Sequence, residues 1–171
     1  MIARRYRQGK RACAFLALIL SACLFPACTA EAADRIFLRI YDWRSGELYR
    51  EMETSIGAEL FFGWIHSLEK IPWNEYFHID ENCDLILDAI TFPAFGAGIP
   101  ENKGRVCYVK DGLIHMEEID QRFAELVWLN SSSATRDIRI DDVLVARGSE
   151  LPHHARLRLV IERGDMDGSK R

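Results

Sequence analysis

From residue 36 onward, apolar and polar positions alternate in short runs with a period of two, the signature of half-buried strands. Ile36-Phe37-Leu38-Arg39-Ile40-Tyr41 and Glu47-Leu48-Tyr49-Arg50 flank Arg44-Ser45-Gly46, which reads as a hairpin turn. Glu59 to His66 is a third run, rich in aromatics. In Trp73–Ile79, Trp73, Glu75, Phe77 and Ile79 share one face, and Asn74, Tyr76 and His78 the other. Leu85 to Phe92 is almost continuously apolar, broken by Asp88. Arg105–Lys110 and Leu113–Glu118 flank Asp111-Gly112, a strong two-residue hairpin signal. Glu125–Leu129 follows, then a loop at Asn130-Ser131-Ser132-Ser133, a run from Ile138 to Ala146, and a last run Leu157–Glu162. Asp120 to Leu129 is the one segment where a helix competes, but Val127 and Trp128 favour strand. Strand-sized runs with turn signals every 8–12 residues predict an all-β fold, a single compact antiparallel β-sandwich or barrel-like domain.

The first 33 residues break this pattern. Arg4, Arg5, Arg7, Lys10 and Arg11 precede an uncharged apolar run of roughly 17 residues. The small residues Thr29-Ala30-Glu31-Ala32-Ala33 follow. That order is a secretory signal, with cleavage after Ala32 or Ala33. Two other readings of the same segment remain: Leu20-Ser21-Ala22-Cys23 as a lipobox, with Cys23 lipidated, or an uncleaved anchor. All three place the rest of the chain outside the cytoplasm, with membrane attachment only through the N-terminal segment. The expected organisation is a signal or anchor at 1–33, a β-domain at 34–163 and a disordered tail at 164–171.

Residues 1–33 hold five basic residues and one acidic one, so their removal moves the formal charge from −4 to −8. An exported acidic domain lacks the basic footprint that nucleic-acid binding needs. Only Cys83 and Cys107 belong to the β-domain. In an oxidising compartment they form either a disulfide, closing a loop of roughly 25 residues worth about 3 kcal/mol, or two independent buried thiols.

The chemistry concentrates in two segments, His66–Phe77 and Phe95–Glu101. His66 and Ser67 are neighbours on a strand and point apart, so they make a poor base–nucleophile pair. No Gly-x-Ser-x-Gly elbow occurs in the chain. Glu69, Glu75 and Glu101 with His66 form either a cation or metal cluster or a salt-bridge set neutralised by Lys70 or Arg105. Glu75 shares a face with Phe77, so it needs a partner if that face is buried. Gly96 and Gly98 allow backbone conformations closed to other residues. Their amides offer either a nest for an anion or a tight connection under aromatic neighbours. Asp80-Glu81-Asn82-Cys83-Asp84 begins like a calcium loop but has Leu85 in the glycine position and Thr91 in the twelfth, so a turn is the better reading. No cofactor is implied.

His66-Ser67-x-Glu69-Lys70-x-Pro72-x-x-Glu75-x-Phe77, followed by Phe95-Gly96-Ala97-Gly98-x-Pro100-Glu101, resembles domain-of-unknown-function family eighteen-fifty. The resemblance extends over roughly residues 36–162, with Leu68 standing where the family often has a branched aliphatic residue. It implies a small exported bacterial protein, encoded beside tripartite ATP-independent periplasmic (TRAP) transporters of the TAXI type. It carries no catalytic residue.

The expected function is therefore that of a periplasmic accessory protein. It would bind TRAP transporter subunits, the substrate-binding protein, or a small organic anion, without catalysis. The expected binding surface is His66, Ser67, Glu69, Lys70, Glu75, Gly96, Gly98 and Glu101, walled by Trp64, Trp73, Tyr76 and Phe95. Two alternatives compete. One is a periplasmic hydrolase with a carboxylate–histidine or metal-assisted site, which requires His66 and two of the glutamates to converge. The other is a structural lipoprotein scaffold.

Overall fold

Alternation decides which residues enter the core. In a computed structural model, which describes residues 35–94, 96 and 103–164, nearly all regular structure is strand. The first hairpin is β1 (Ile36–Asp42) and β2 (Leu48–Thr54). Then come β3 (Glu59–Ile65), β4 (Pro72–Ile79), β5 (Leu85–Phe92), β6 (Val106–Lys110), β7 (Leu113–Glu117), β8 (Gln121–Phe123) and β9 (Leu126–Leu129). The chain closes with β10 (Thr135–Ile140), β11 (Val143–Arg147), a 3-10 turn at Gly148–Glu150, and β12 (Arg156–Arg163). The helical competitor at 120–129 is two strands, β8 and β9.

The strands form two antiparallel sheets and no closed barrel. The smaller has the order β2-β1-β12-β9. The larger has the order β11-β10-β3-β4-β5-β7-β6, with β8 added on β5. Ile36, Leu38 and Ile40 of β1 and Leu157, Leu159 and Ile161 of β12 form one cluster with Leu60, Phe62, Trp73, Phe77 and Ile79 of the larger sheet. Each set is spaced by two, so one face of each sheet supplies a shared core, as the expected sandwich requires.

Asp88 explains the broken run in β5. Phe77 pairs with Leu87 and Tyr76 with Ala89, so Asp88 is the extra residue of a bulge. The bulge switches the inward positions from Leu85 and Leu87 to Ile90 and Phe92, and all four stay buried. Asp111-Gly112 makes the expected turn, with φ of 51° and 76°. The run from Ile138 to Ala146 is not one strand but a hairpin. It turns at Asp141-Asp142, with φ of 46° and 62°. Aspartate tolerates the left-handed region by bonding locally, which lets this pair stand in for the usual Asn-Gly. Asp141 Oδ1 also accepts the Glu59 amide at 2.8 Å.

The calcium-like segment is a turn. Asp80 accepts the Asn82 and Asp84 amides, each at 2.9 Å. These bonds, with the Asp84 amide the strongest, hold its carboxyl below the usual carboxylate range. Of the two alternatives for the cysteines, the disulfide is not formed: Cys83 and Cys107 are both free thiols, Cys83 buried and Cys107 exposed. Cys83 sits in the turn before Leu85. Cys107 pairs with Met116, which pairs with Ile90 near the other end of β5. Strands rise about 3.3 Å per residue, so the strand length between them is far beyond disulfide reach. The segment 1–33 with Cys23, and the tail from 165, lie outside the described residues.

Candidate functional site

The β3–β4 connection carries most of the first motif. The His66 amide donates to Ile71 O and the Lys70 amide to His66 O, both at 2.8 Å. This closes a tight turn that forces Lys70 into the left-handed region at φ 57°. Ser67 and Lys70 are exposed, and Leu68 at the tip is 63% exposed. His66 lies on an aromatic stack. Its ring centroid is 5.6 Å from Trp64 and 5.9 Å from Trp73, and Trp73 stacks on Phe92 at 4.8 Å. His66 Nδ1 accepts the Glu69 amide at 3.4 Å, which points the opposite ring nitrogen away from the turn. A Cβ placed on Gly96 would fall 2.5 Å from Glu69 Cδ, so the two motif segments meet at this contact. Gly98 and Glu101 lie outside the described residues, as do Phe95 and Pro100.

Glu75 does face inward with Trp73 and Phe77, and among the described residues it forms no salt bridge with a Lys or Arg. The Trp73 indole donates to it at 3.1 Å. Burial pushes its carboxyl above the usual carboxylate range, and the Trp73 indole, the Lys103 charge and the Trp64 indole act against that rise. Arg105 pairs instead with Glu118 at 3.1 Å. Among the described residues, no three His, Cys, Asp or Glu side chains gather as metal ligands. Glu101, one of the three glutamates such a site could use, lies outside the described residues.

Glu75 lies on the wall of a cavity of about 800 Å³ between the two sheets. Phe62 and Trp64 line it from the larger sheet. Phe123 of β8 also lines it from the larger sheet, all four residues of β9 line it from the smaller one, and Glu125 and Ser67 complete the lining. Phe62 and Trp128 meet edge to face at 5.2 Å across it. Glu125 is compensated by Arg158 at 3.8 Å. Asn130 fixes the far end of β9. It is fully buried, and its amide donates to the carbonyls of Gly148, Leu151 and Pro152 at 3.0–3.2 Å.

Residues 61–144 match the family model described as domain of unknown function (DUF1850). The match contains both motif segments and supports membership of that family, as their resemblance implied. No curated protein and no solved structure matches the chain. The DUF1850 match runs from β3 to the start of β11, so it includes Glu75, Trp64, Trp128 and the whole of β9.

Sequence reasoning named Glu75, His66, Trp64 and Trp73 but missed Phe62, Phe123, Trp128 and Asn130, which come from runs read only as strand or loop. It also missed a second cleft within the DUF1850 match, on the outer face of the larger sheet, also about 800 Å³. Phe61 lies over Gly63 there, beside Tyr76. His78 Nδ1 contacts the bulge residue Asp88 at 2.8 Å, and Arg139 pairs with Asp137 at 2.5 Å. His78–Asp88 is a carboxylate–histidine pair, and among the described residues the cleft lining holds no serine, threonine or cysteine.

Proposed function

We propose that the domain is a non-catalytic binding module, acting as an exported accessory protein of a TAXI-type TRAP transport system and engaging a protein component of that system. The observation that carries this reading is Glu75, a largely buried carboxyl without an ion pair among the described residues, on the wall of an aromatic cavity at the motif end. A buried charge left without a counter-charge costs stability, which a purely structural wall would avoid with an apolar residue. Aromatic side chains beside one well-placed polar group are the composition of a recognition site. The carboxylates of Glu75 and Glu125 favour a basic or neutral group over a small organic anion. The setting at the transporter comes from the family resemblance.

The test is binding of the purified protein to the purified substrate-binding protein and membrane subunits of the system, by surface plasmon resonance. The expected result is a complex weakened at least tenfold by Glu75→Lys, with the circular dichroism spectrum unchanged. Failure to bind any component overturns the reading.

A further inference from the structure

We infer that β9 is a strand-addition site, at which an extended segment of the partner protein pairs with the β9 edge and places one basic side chain in the cavity opposite Glu75. This rests on the proposed binding role and names the chemistry of the occupant. Among the described residues β9 ends the smaller sheet, with β12 paired on one side and no strand on the other. The Asn130 amide donates to Ala155 O, which fixes the phase of the ladder. Trp128 opposite Leu157 and Leu126 opposite Leu159 then point their backbone groups at β12. Val127 and Leu129 point theirs off the free edge.

Natural edge strands are blunted by charge, proline or a bulge. Of the four strands that end the two sheets, β2 carries Arg50, Glu51 and Glu53, β6 carries Lys110, and β11 carries Arg147. β9 reads Leu126-Val127-Trp128-Leu129, with no charge and no proline. Leu129 is 66% exposed and Val127 38%. Consecutive strand residues face opposite sides, yet all four border the cavity, so the cavity runs along the edge of the strand. An added strand would lie about 4.8 Å from β9. Its residue opposite Trp128 would share the inward face of Trp128 and enter the cavity. Glu125 is already matched by Arg158, so Glu75 is the charge left to select a lysine or arginine there. Main-chain bonds would supply affinity and the alternate pocket would supply specificity.

The probe is a capped eleven-residue peptide alternating valine and threonine, with one central lysine, compared with the same peptide carrying a central glutamate. The expected result is at least tenfold tighter binding of the lysine peptide, with new hydrogen-exchange protection at the Val127 and Leu129 amides. Val127→Pro removes an amide that β12 does not use, so it should abolish binding and keep the fold. If that variant does not fold, the lysine peptide N-methylated at alternate residues replaces it and should not bind. Equal binding of the lysine and glutamate peptides, unchanged protection at Val127 and Leu129, or full binding by Val127→Pro or by the N-methylated peptide would overturn the inference. A transporter complex sensitive to Glu75→Lys but indifferent to Val127→Pro would overturn strand addition alone and leave the binding role standing. Absence of any transporter complex would instead remove the proposed role.

Discussion

Asn130→Ala is the most informative single perturbation of stability, because Asn130 ties the cavity wall to the closing loop. Its amide donates to Gly148 O at 3.0 Å, Leu151 O at 3.2 Å and Pro152 O at 3.0 Å. Two hydrogens serve three acceptors, so the loss is two donated hydrogen bonds, each worth about 1 kcal/mol net, together with the long bond that Asn130 Oδ1 accepts from the Trp128 indole at 3.4 Å. Two of the carbonyls keep a second, long partner: Gly148 O accepts the Leu151 amide and Pro152 O the Ala155 amide, both at 3.4 Å. Leu151 O keeps none among the described residues, and an orphaned buried carbonyl costs about 1–3 kcal/mol more. The expected loss is therefore roughly 3–5 kcal/mol, at the high end for one substitution. The assay is urea unfolding followed by circular dichroism, with the m-value checked for constancy. Asn130→Asp is the sharper control. It preserves shape but sets a carboxylate against three carbonyl oxygens, so it should cost at least as much at neutral pH and recover in part in acid, where a protonated carboxyl donates one bond. A loss under about 1 kcal/mol for Asn130→Ala, or an aspartate variant as stable as the parent, would refute the reasoning.

Two further outcomes follow from the same geometry. Burial raises the Glu75 pKa, so the folded state holds this proton more tightly than the unfolded chain does. Its contribution to stability is complete below the ordinary glutamate value of about 4.3 and is lost as pH rises through the raised folded value. Glu75→Gln should therefore be more stable than the parent at neutral pH, with the gap closing toward pH 4; urea melts across that range that show a constant gap would count against it. In a thiol-labelling experiment read by peptide mass mapping, exposed Cys107 should react in the folded protein and buried Cys83 only on unfolding, and a peptide linking the two under oxidising conditions would contradict the free thiols.

The strand positions were legible because a period of two is written directly in the order of residues. Ile36, Leu38 and Ile40 announce their face without any neighbour. The legibility fails where the backbone departs from the period. Asp88 interrupts β5 as an extra residue, and no local rule says whether an aspartate in an apolar run marks a bulge or a solvent-facing position. Asp141-Asp142 escaped notice as a turn for a related reason. Aspartate is a permitted but unfavoured occupant of paired left-handed positions, and it carries no signal as strong as Gly112 beside Asp111. The cysteines show a third limit. Their separation in sequence is suitable for a disulfide, whereas their separation along β5 is a fact of strand order.

The site was legible only in the parts that one strand can carry. Parity alone places Glu75 beside Trp73 and Phe77, and a carboxylate on a core face is a local contradiction that invites a functional reading. The form of its resolution was not readable. A Lys or Arg partner is the general expectation for a buried acid, but here indoles support it, and the opposing wall comes from β9, some 50 residues further along the chain. Edge status is more remote still. Leu126-Val127-Trp128-Leu129 looks like any interior strand, and only the order β2-β1-β12-β9 reveals that Val127 and Leu129 offer their backbone groups to nothing in the sheet. An interior-type sequence left at an edge exposes the chain to aggregation. A strand from another chain that completes the sheet would remove that exposure. The contradiction at Glu75 and the contradiction at β9 border one cavity, so a single partner strand bearing one basic residue would resolve both.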